Sequence, residues 1–378
     1  MNILIISTIN GLGGGEIHAI NHYKELLTHN YNVYFLALYN SPLAKALEQE
    51  KLKFFVTPKY FNYLYKFKNI FTLFLSFYLK KLCVQNNITL VHCNCKRDTR
   101  AAKLTRKLTA RKLKLFVIYT HHIQDKLSLS FLKNINGIIG VNPEISQNII
   151  NQNKHNNLNI KEIIYIPPFI NQAPFINFHT TQTREEFFLK DFGVTLSGGP
   201  ILCMIAHFYK NISHKNHPLL LQAIKILVQE KNRSLDVMLV GDGPNKKLYK
   251  SLVDSMGISK YIHFLEVTSK IPEILFYSDI KVLTSNTEGL PIVYVEAALM
   301  KKPIIGATAV NILLFHEKTG LVFEKNNVND LVTQIERLLA DKNLRETLGQ
   351  NAYNLVTSEF TNKSKLIKHI EFYNKVIN

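Results

Sequence analysis

Residues 2–39, "NILIISTINGLGGGEIHAINHYKELLTHNYNVYFLALY", hold two short apolar runs with a longer patterned segment between them. The outer runs, "NILIIS" and "NVYFLALY", are rich in β-branched and aromatic residues and predict strands. In the middle segment the apolar residues recur at helical spacing, at Ile17, Ile20, Tyr23, Leu26 and Leu27. A strand, a helix and a second strand in this order indicate a parallel sheet with a crossover helix.

The same alternation continues along the chain. Further strands are predicted at "LVHCN", "LFVIYTH", "GIIGV" and "IIYIP", and later at "ILCMIAHF", "SLDVMLVGDGP", "YIHFLEV", "IKVLTSN", "KPIIGA" and "GLVFE". The stretch 167–200, rich in Pro, Thr, Asn and Gly, interrupts the series and predicts a domain boundary. We therefore expect two Rossmann-like, doubly wound α/β domains facing each other across a cleft. They would span residues 1–180 and 181–378, with the last helix able to pack back on the first domain.

Positive charge is concentrated in the first half of the chain. The net charge is +18, and residues 1–185 hold 23 Lys and Arg against 9 Asp and Glu. Such a field attracts phosphates on nucleic acids, anionic membranes or small molecules. The segment 96–114 is densest in cations and fits a nucleic-acid patch, a solvated helix face or a membrane-facing surface. The aromatic run 60–81 with its flanking lysines fits an interfacial helix or a core helix.

The glycine-rich segment 7–20 follows a strand and opens a helix, so its free amides can bind an anion. It does not match a dinucleotide fingerprint, because Glu16 stands where the third glycine is required after Gly11 and Gly13. NAD is therefore disfavoured. A phosphate or sugar neighbour and a simple tight turn are equally compatible with the segment.

A second candidate site is "TEGLPIVYVEA", residues 287–297. Pro291 suits a first helical turn, which would aim the amides of Gly289 and Leu290 at a ligand. A carboxylate in an apolar run needs a partner, and Glu296 could accept hydrogen bonds from vicinal hydroxyls, as on a ribose. Glu288 would reach a second set of hydroxyls. The alternative is that Glu296 pairs with Lys301 or Lys302.

A cation is expected opposite these acids. Lys215 lies near the start of a predicted helix, and His207 follows the strand "ILCMIA". A lysine at such a position binds phosphate as a point charge, although an isolated lysine is more often a solvated surface residue.

Two glutamates with seven residues between them, and Gly-Leu-Pro directly after the first, resemble the signature of retaining glycosyltransferase family 4, of GT-B fold. "GGGEIHAINHYKELL", "HKNHPLLLQAI", "VGDGP" and "KTGLVFEKNNVNDLVTQI" are similar to other segments of that family. The resemblance covers nearly the whole chain and is strongest in residues 200–340.

The resemblance implies a role for each matching residue. Glu296 would bind the nucleotide ribose. Glu288, together with the amides of Gly289 and Leu290, would bind the donor sugar. Lys215 would bind the leaving diphosphate. Gly14 and Gly15 would approach that diphosphate, His122 would lie at the reacting centre, and the backbone from Leu265 to Val267 would meet the base. Two positions depart from the family pattern. His207 stands where an Arg is common, and Glu266 stands where a Gly is common, so the identity of the nucleotide base is not predicted.

The resemblance further implies the reaction. A hexosyl group would pass with retention from a nucleoside-diphosphate sugar, UDP-linked by preference, to a saccharide or lipid-linked acceptor in bacterial cell-surface polysaccharide or lipopolysaccharide synthesis. No metal or cofactor and no nucleic acid would be needed. The enzyme would be cytoplasmic and peripheral on the inner face of the cell membrane. The alternatives are a sugar-nucleotide epimerase or hydrolase of the same build, and a non-enzymatic nucleic-acid binder.

Overall fold

A computed structural model describes residues 1–122, 127–286, 288, 290–307 and 313–378. The chain divides into two compact units. Unit 1 comprises Met1–Ile170 and Thr361–Asn378, and unit 2 comprises Asn171–Phe360. The division falls after Ile170, whereas the sequence analysis places the boundary after residue 180. The last helix belongs to unit 1.

Unit 1 contains a sheet of seven parallel strands in the order β3-β2-β1-β4-β5-β6-β7. The strands are β1 Ile3–Ser7, β2 Val33–Ala37, β3 Phe55–Val56, β4 Leu90–Cys93, β5 Phe116–His121, β6 Gly137–Gly140 and β7 Glu162–Tyr165. Every residue of β1, β4, β5 and β6 is buried. Burial on both faces explains why these strands read as continuous apolar runs rather than as alternating ones.

Helices cover both faces of this sheet. They are α1 Gly14–Thr28, α2 Pro42–Gln49, α3 Phe61–Leu64, α4 Lys68–Gln85, α5 Lys96–Thr109, α6 Leu129–Leu132, α7 Pro143–Asn156 and, from the end of the chain, α17 Asn362–Ile377. One core cluster joins the sheet to α1, α2 and α17, and a second joins it to α4 and α5. The amphipathic pattern of α1 is satisfied in this way, since Ile20, Tyr23 and Leu26 are buried against the sheet.

Unit 2 contains a sheet of six parallel strands in the order β10-β9-β8-β11-β12-β13. Its strands are β8 Ile201–Ile205, β9 Asp236–Val240, β10 Ile262–Leu265, β11 Ile280–Leu283, β12 Ile304–Gly306 and β13 Leu321–Val322. Its helices are α8 Ala173–Ile176, α9 Arg184–Phe192, α10 Ile212–Lys215, α11 His217–Lys225 (continued by a π-helical turn, Ile226–Glu230), α12 Lys246–Ser255, α13 Ile271–Tyr277, α14 Ile292–Leu299, α15 Val328–Ala340 and α16 Lys342–Glu359, with a 3-10 turn at Ser259–Tyr261.

All twelve strands predicted from the sequence are present, and the two-residue β3 is an addition. Both sheets share one topological feature. The first strand of each lies between the second and the fourth, so the strand order reverses beside β1 and beside β8. In doubly wound folds, ligands bind at this reversal, beyond the carboxyl ends of the strands.

Four buried histidines join α1, β4 and α17 in unit 1, namely His18, His22, His92 and His369. The Tyr373 hydroxyl lies 2.6 Å from His92 Nδ1 and 3.2 Å from His22 Nε2. Burial lowers the pKa of all four imidazoles, that of His369 to about 3. Unit 1 therefore folds around neutral imidazoles at physiological pH.

We expect acid to destabilise unit 1 through this histidine cluster. An unfolded imidazole has a pKa of about 6.5, so the unfolded chain binds more protons than the folded one below that pH. The stabilisation is complete above pH ~6.5 and is lost as the pH falls toward the folded-state value. For His369, with its folded pKa of about 3, the loss at pH ~5 is about 2 kcal/mol.

The measurement is the free energy of urea unfolding near neutral pH and at pH ~5, for the wild type and for His369→Gln. Acidification should cost the variant about 2 kcal/mol less than it costs the wild type, because one titrating group is gone. Equal losses in the two proteins would contradict the prediction.

Candidate active site

In unit 2 the loops that follow β8 and β11 are tied together by hydrogen bonds. The Thr284 hydroxyl, just after β11, donates to the carbonyls of Lys215 and Asn216, at 2.9 Å each. The Asn286 side-chain amide donates to the Ser213 carbonyl at 2.7 Å. These bonds fix α10, and with it Lys215, against the segment that leads to Glu288.

Lys215 and Glu288 form an ion pair at this point. Both side chains are largely buried, with 16% and 17% of their surface exposed. The structure therefore brings together the cation and one of the two carboxylates that the sequence analysis proposed. Their direct pairing was not expected. A ligand phosphate that approaches Lys215 would have to share the ammonium group with Glu288.

Glu296 lies on α14 and is partly exposed. Among the described residues, no hydrogen bond or ion pair engages its carboxylate. The alternative proposed from the sequence is wrong for both lysines. Lys301 Nζ lies 4.9 Å from the centre of the Tyr353 ring, and Lys302 Nζ donates to the Phe276 carbonyl at 2.6 Å. No residue in the described part of the chain therefore competes with a ligand for this carboxylate.

Lys281, on β11, was not predicted from the sequence. Its side chain is fully buried, and among the described residues its ammonium makes two long hydrogen bonds, to the carbonyls of Cys203 (3.5 Å) and Val282 (3.4 Å). Burial lowers the pKa of Lys281 to about 8, against the opposing effects of Cys203, Glu296 and Glu288. Burial likewise raises the pKa of Glu296 to about 7, and Lys281 opposes that shift. A lone lysine in an otherwise apolar parallel strand was the available signal.

The turn after β9 explains the glycines of "VGDGP". Gly241 and Gly243 have φ angles of 148° and 151°, and a Cβ on either would overlap the carbonyl oxygen of Ala206 or Phe208. The Phe208 amide donates to the Asp242 carbonyl at 2.9 Å. This close approach of two backbones holds the segment around residue 207 in place.

The other residues predicted for the donor site differ in how exposed they are to solvent. His207 is exposed, with its ring 4.6 Å from that of Tyr209. Leu290 is buried, and Gly289 lies outside the described residues. In the base-binding segment, the Leu265 carbonyl accepts a hydrogen bond from the Gly241 amide at 3.0 Å.

The same segment carries a charged neighbour. Val267 is 73% exposed, and Glu266 pairs with Lys246 at 2.5 Å. The surface of this segment beside β10 therefore combines one exposed apolar side chain with one ion pair.

In unit 1 the predicted residues are close to one another. Gly14 and Gly15 are the first two residues of α1, and a Cβ on Gly15 would lie 3.6 Å from the His122 ring. His122 Nε2 is 3.3 Å from Asn94 Oδ1, at the end of β4. Burial and the neighbouring His121 lower the pKa of His122 to about 4. A neutral imidazole beside the start of a helix can exchange hydrogen bonds with sugar hydroxyls.

Much of the basic segment 96–114 serves the fold. The Arg97 guanidinium stacks 4.2 Å from the ring centres of Tyr65 and Phe71. Lys103 Nζ donates to the Phe131 carbonyl at 2.7 Å, and Arg106 to Asn136 Oδ1 at 2.7 Å. For these three cations, neither a solvated face nor a nucleic-acid patch is needed to explain the sequence.

Helix α4 is apolar on two faces. One face is buried in unit 1 and includes Phe71, Leu75 and Leu79. The opposite stripe consists of exposed apolar residues, namely Ile70, Leu73, Phe74, Phe77 and Val84. The exposed residues Lys66, Lys68 and Lys81 flank this stripe. In the described part of the chain, no helix combines the length and the apolar character that a bilayer crossing requires.

Comparison with known families identifies the second unit. Residues 192–355 match the family model "Glycosyl transferases group 1". The N-acetyl-alpha-D-glucosaminyl L-malate synthase of Bacillus anthracis is 26% identical over 285 residues, which are 73% of this chain and 71% of that protein. A Campylobacter jejuni N,N'-diacetylbacillosaminyl-diphospho-undecaprenol alpha-1,3-N-acetylgalactosaminyltransferase is 29% identical over 48% of this chain and 46% of that protein.

Solved structures match over the whole length. A glycosyltransferase from Rickettsia africae superposes with a TM-score of 0.80 at 21% identity, covering 100% of this chain and 98% of that one. Anabaena HepE in complex with UDP-glucose gives 0.78 at 16% identity, covering 99% of both chains. These similarities show the GT-B fold. The chain is a glycosyltransferase with two parallel-sheet domains, and its residues 192–355 carry the group 1 glycosyltransferase sequence.

Proposed function

We propose that the protein is a retaining hexosyltransferase that uses a nucleoside-diphosphate sugar, with UDP as the preferred nucleotide. Its acceptor would be a saccharide or a lipid-linked saccharide of the bacterial cell surface, including lipopolysaccharide. Relatives named for undecaprenol-linked and ribitol-phosphate acceptors support this acceptor class. The nucleotide preference draws support from the HepE complexes with UDP and UDP-glucose.

One observation carries the donor part of the proposal. Glu296 offers a carboxylate without a partner among the described residues, on the helix that follows β11, the strand that pairs with β8 at the strand-order reversal of unit 2. An ionised carboxylate only accepts hydrogen bonds, so it fits a pair of vicinal ribose hydroxyls. The ion pair of Lys215 and Glu288, at the same end of the sheet, supplies the groups for the diphosphate and the sugar.

The proposed chemistry is electrostatic. As the bond between the sugar and the diphosphate breaks, negative charge grows on the leaving oxygen, and Lys215 stabilises it without moving far. Glu288 holds Lys215 in position and would turn toward the donor-sugar hydroxyls. His122, neutral at physiological pH, would contact the reacting sugar from unit 1. The acceptor hydroxyl would attack from the face that the diphosphate leaves, and no divalent ion is required in this scheme.

The first prediction concerns nucleotide binding. UDP should raise the melting temperature of the wild type, because a ligand that binds only the folded state stabilises it. Glu296→Gln should lose most of this shift, since the amide replaces a charged acceptor at the ribose. The shifts in melting temperature produced by GDP and ADP, measured in the same way, will show which nucleotide base the protein prefers.

A matched control is Glu230→Gln, which makes the same chemical change at an exposed residue that ends the π-helical turn continuing α11. It should retain the full UDP shift. An equal UDP shift in Glu296→Gln and the wild type would contradict the assignment of the ribose site.

The second prediction concerns turnover. Lys215→Met should lower kcat by about 100-fold or more, the usual cost of removing one group that stabilises a leaving anion. Release of UDP from a UDP-sugar should require an acceptor, and activity should persist in EDTA. Rapid UDP release without an acceptor would favour the hydrolase or epimerase alternative.

A membrane surface is the proposed route to a lipid-linked acceptor. The exposed apolar stripe of α4 and its flanking lysines have the composition of an interfacial helix. Each basic residue near an anionic bilayer contributes about 1 kcal/mol. We propose that α4 rests on the inner face of the cytoplasmic membrane.

The test is co-sedimentation with vesicles that contain anionic lipid. Lys80→Glu combined with Lys81→Glu should weaken binding by at least tenfold, because two favourable charges become unfavourable. Lys325→Glu combined with Lys342→Glu, two exposed positions in unit 2, carries the same charge change and should bind like the wild type. Unchanged binding of the α4 variant would argue against this surface.

A further inference from the structure

The ion pair of Lys215 and Glu288 joins two loops whose backbones are fastened to each other. The Thr284 hydroxyl donates to the Lys215 carbonyl at 2.9 Å, and the backbone amide of Asn286 donates to the His214 carbonyl at 3.1 Å. A ligand cannot draw Lys215 toward itself by moving the loop after β8 unless these bonds break. It therefore has to compete with Glu288 for the ammonium group where that group stands.

Solvent does little to weaken this ion pair. Only 16% of the Lys215 side chain and 17% of the Glu288 side chain are exposed, so water and salt screen the two charges less than they screen a surface pair. In the described part of the chain, Glu288 is the sole hydrogen-bond partner of the Lys215 ammonium. The pair is neutral by itself. A phosphate group that joins the ammonium places a second anion beside the carboxylate.

The donor and the product of the proposed reaction differ in the charge that they bring to this pair. In a nucleoside-diphosphate sugar the terminal phosphate is esterified to the sugar and carries a single negative charge. Once the sugar has left, that phosphate carries a charge of about −1.5 to −2 near neutral pH. The donor also brings sugar hydroxyls, which can donate hydrogen bonds to a carboxylate, whereas the product has none at this end. The Glu288 carboxylate therefore disfavours the product more than the donor.

We infer that Glu288 is a specificity-determining residue: by competing for Lys215 it lowers the affinity for the free nucleoside diphosphate relative to the nucleotide sugar, and so promotes release of the product. The inference rests on the proposed function and deepens it, because it concerns how the same site distinguishes its substrate from its product. A site with the lysine alone would hold the more highly charged product more tightly than the donor.

This role is compatible with contact between Glu288 and the donor sugar. The sugar hydroxyls engage the carboxylate only while the sugar is attached to the diphosphate. When that bond breaks and the sugar leaves, the carboxylate is already beside Lys215 and competes with the diphosphate without a rearrangement of the loops. Because product release limits kcat in many enzymes, such a competitor bears directly on turnover.

The experiment is calorimetric titration near neutral pH with two probes, UDP and UDP-glucose, in the absence of an acceptor. The proteins are the wild type, Glu288→Gln and the matched control Glu230→Gln, which makes the same change at an exposed residue. Glutamine keeps the size of the side chain and one acceptor oxygen but removes the charge. Thermal melting without ligand shows whether each protein is folded, and Glu288→Ser is the second variant if the glutamine variant is not.

We expect Glu288→Gln to bind UDP about tenfold more tightly than the wild type does, because a negative charge beside the diphosphate is removed. The affinity for UDP-glucose should change by about threefold or less, since a smaller repulsion is relieved and an acceptor for the sugar hydroxyls is weakened. Glu230→Gln should bind both probes as the wild type does. A merely structural role for Glu288, as a support for Lys215, would make both probes bind more weakly.

The inference fails if Glu288→Gln binds UDP no more tightly than the wild type, or if UDP and UDP-glucose gain equally. Either result leaves the proposed function intact. A wild type that binds none of UDP, GDP and ADP would instead refute the proposed function, and with it the inference. If the wild type prefers GDP or ADP, the same comparison is made with that nucleotide and its glucose derivative.

Discussion

A parallel sheet covered by helices on both faces offers no water to a charged side chain, and unit 2 places a lysine inside such a sheet. In the described part of the chain its ammonium makes long hydrogen bonds to the carbonyls of Cys203 and Val282. The strand that holds it, β11, leads into the loop of Glu288 and then into α14, which carries Glu296. The buried lysine and the two acids of the candidate site therefore belong to one continuous stretch of chain.

The two units place different groups at equivalent positions of their sheets. Beside β8, unit 2 gathers two lysines and two glutamates. Beside β1, unit 1 offers the first turn of α1, a neutral His122 and buried polar contacts such as that between the Thr8 amide and Asp98, at 2.8 Å. At this place unit 2 thus gathers charged side chains, whereas unit 1 offers the backbone amides of a helix start and a neutral imidazole.

The sequence predicted the fold well because buried parallel strands are short, apolar and bounded by turn residues. β3 was missed because two residues at the edge of a sheet leave no periodic signal. Lys215, Glu288 and Glu296 were proposed as site residues from their places near helix starts and in apolar runs. The pairing of Lys215 with Glu288 could not be predicted, since it depends on how the loops after β8 and β11 are bonded. The histidine cluster could not be predicted for a similar reason, because it depends on contacts between distant parts of the chain. His22 and Tyr373, for example, are 351 positions apart.

The path of the chain also bears on how the protein is made. Leu366, Phe372 and Tyr373 belong to the core of unit 1, yet the ribosome delivers them only after the whole of unit 2. The amino-terminal sheet must then wait with one apolar face covered by α1 and α2 but not yet by α17, while some 190 residues are translated in roughly ten seconds or more. During that interval unit 2 can close its own core first. The domain begun first is thus completed last, and the nascent chain has reason to engage a chaperone on the face that α17 later covers.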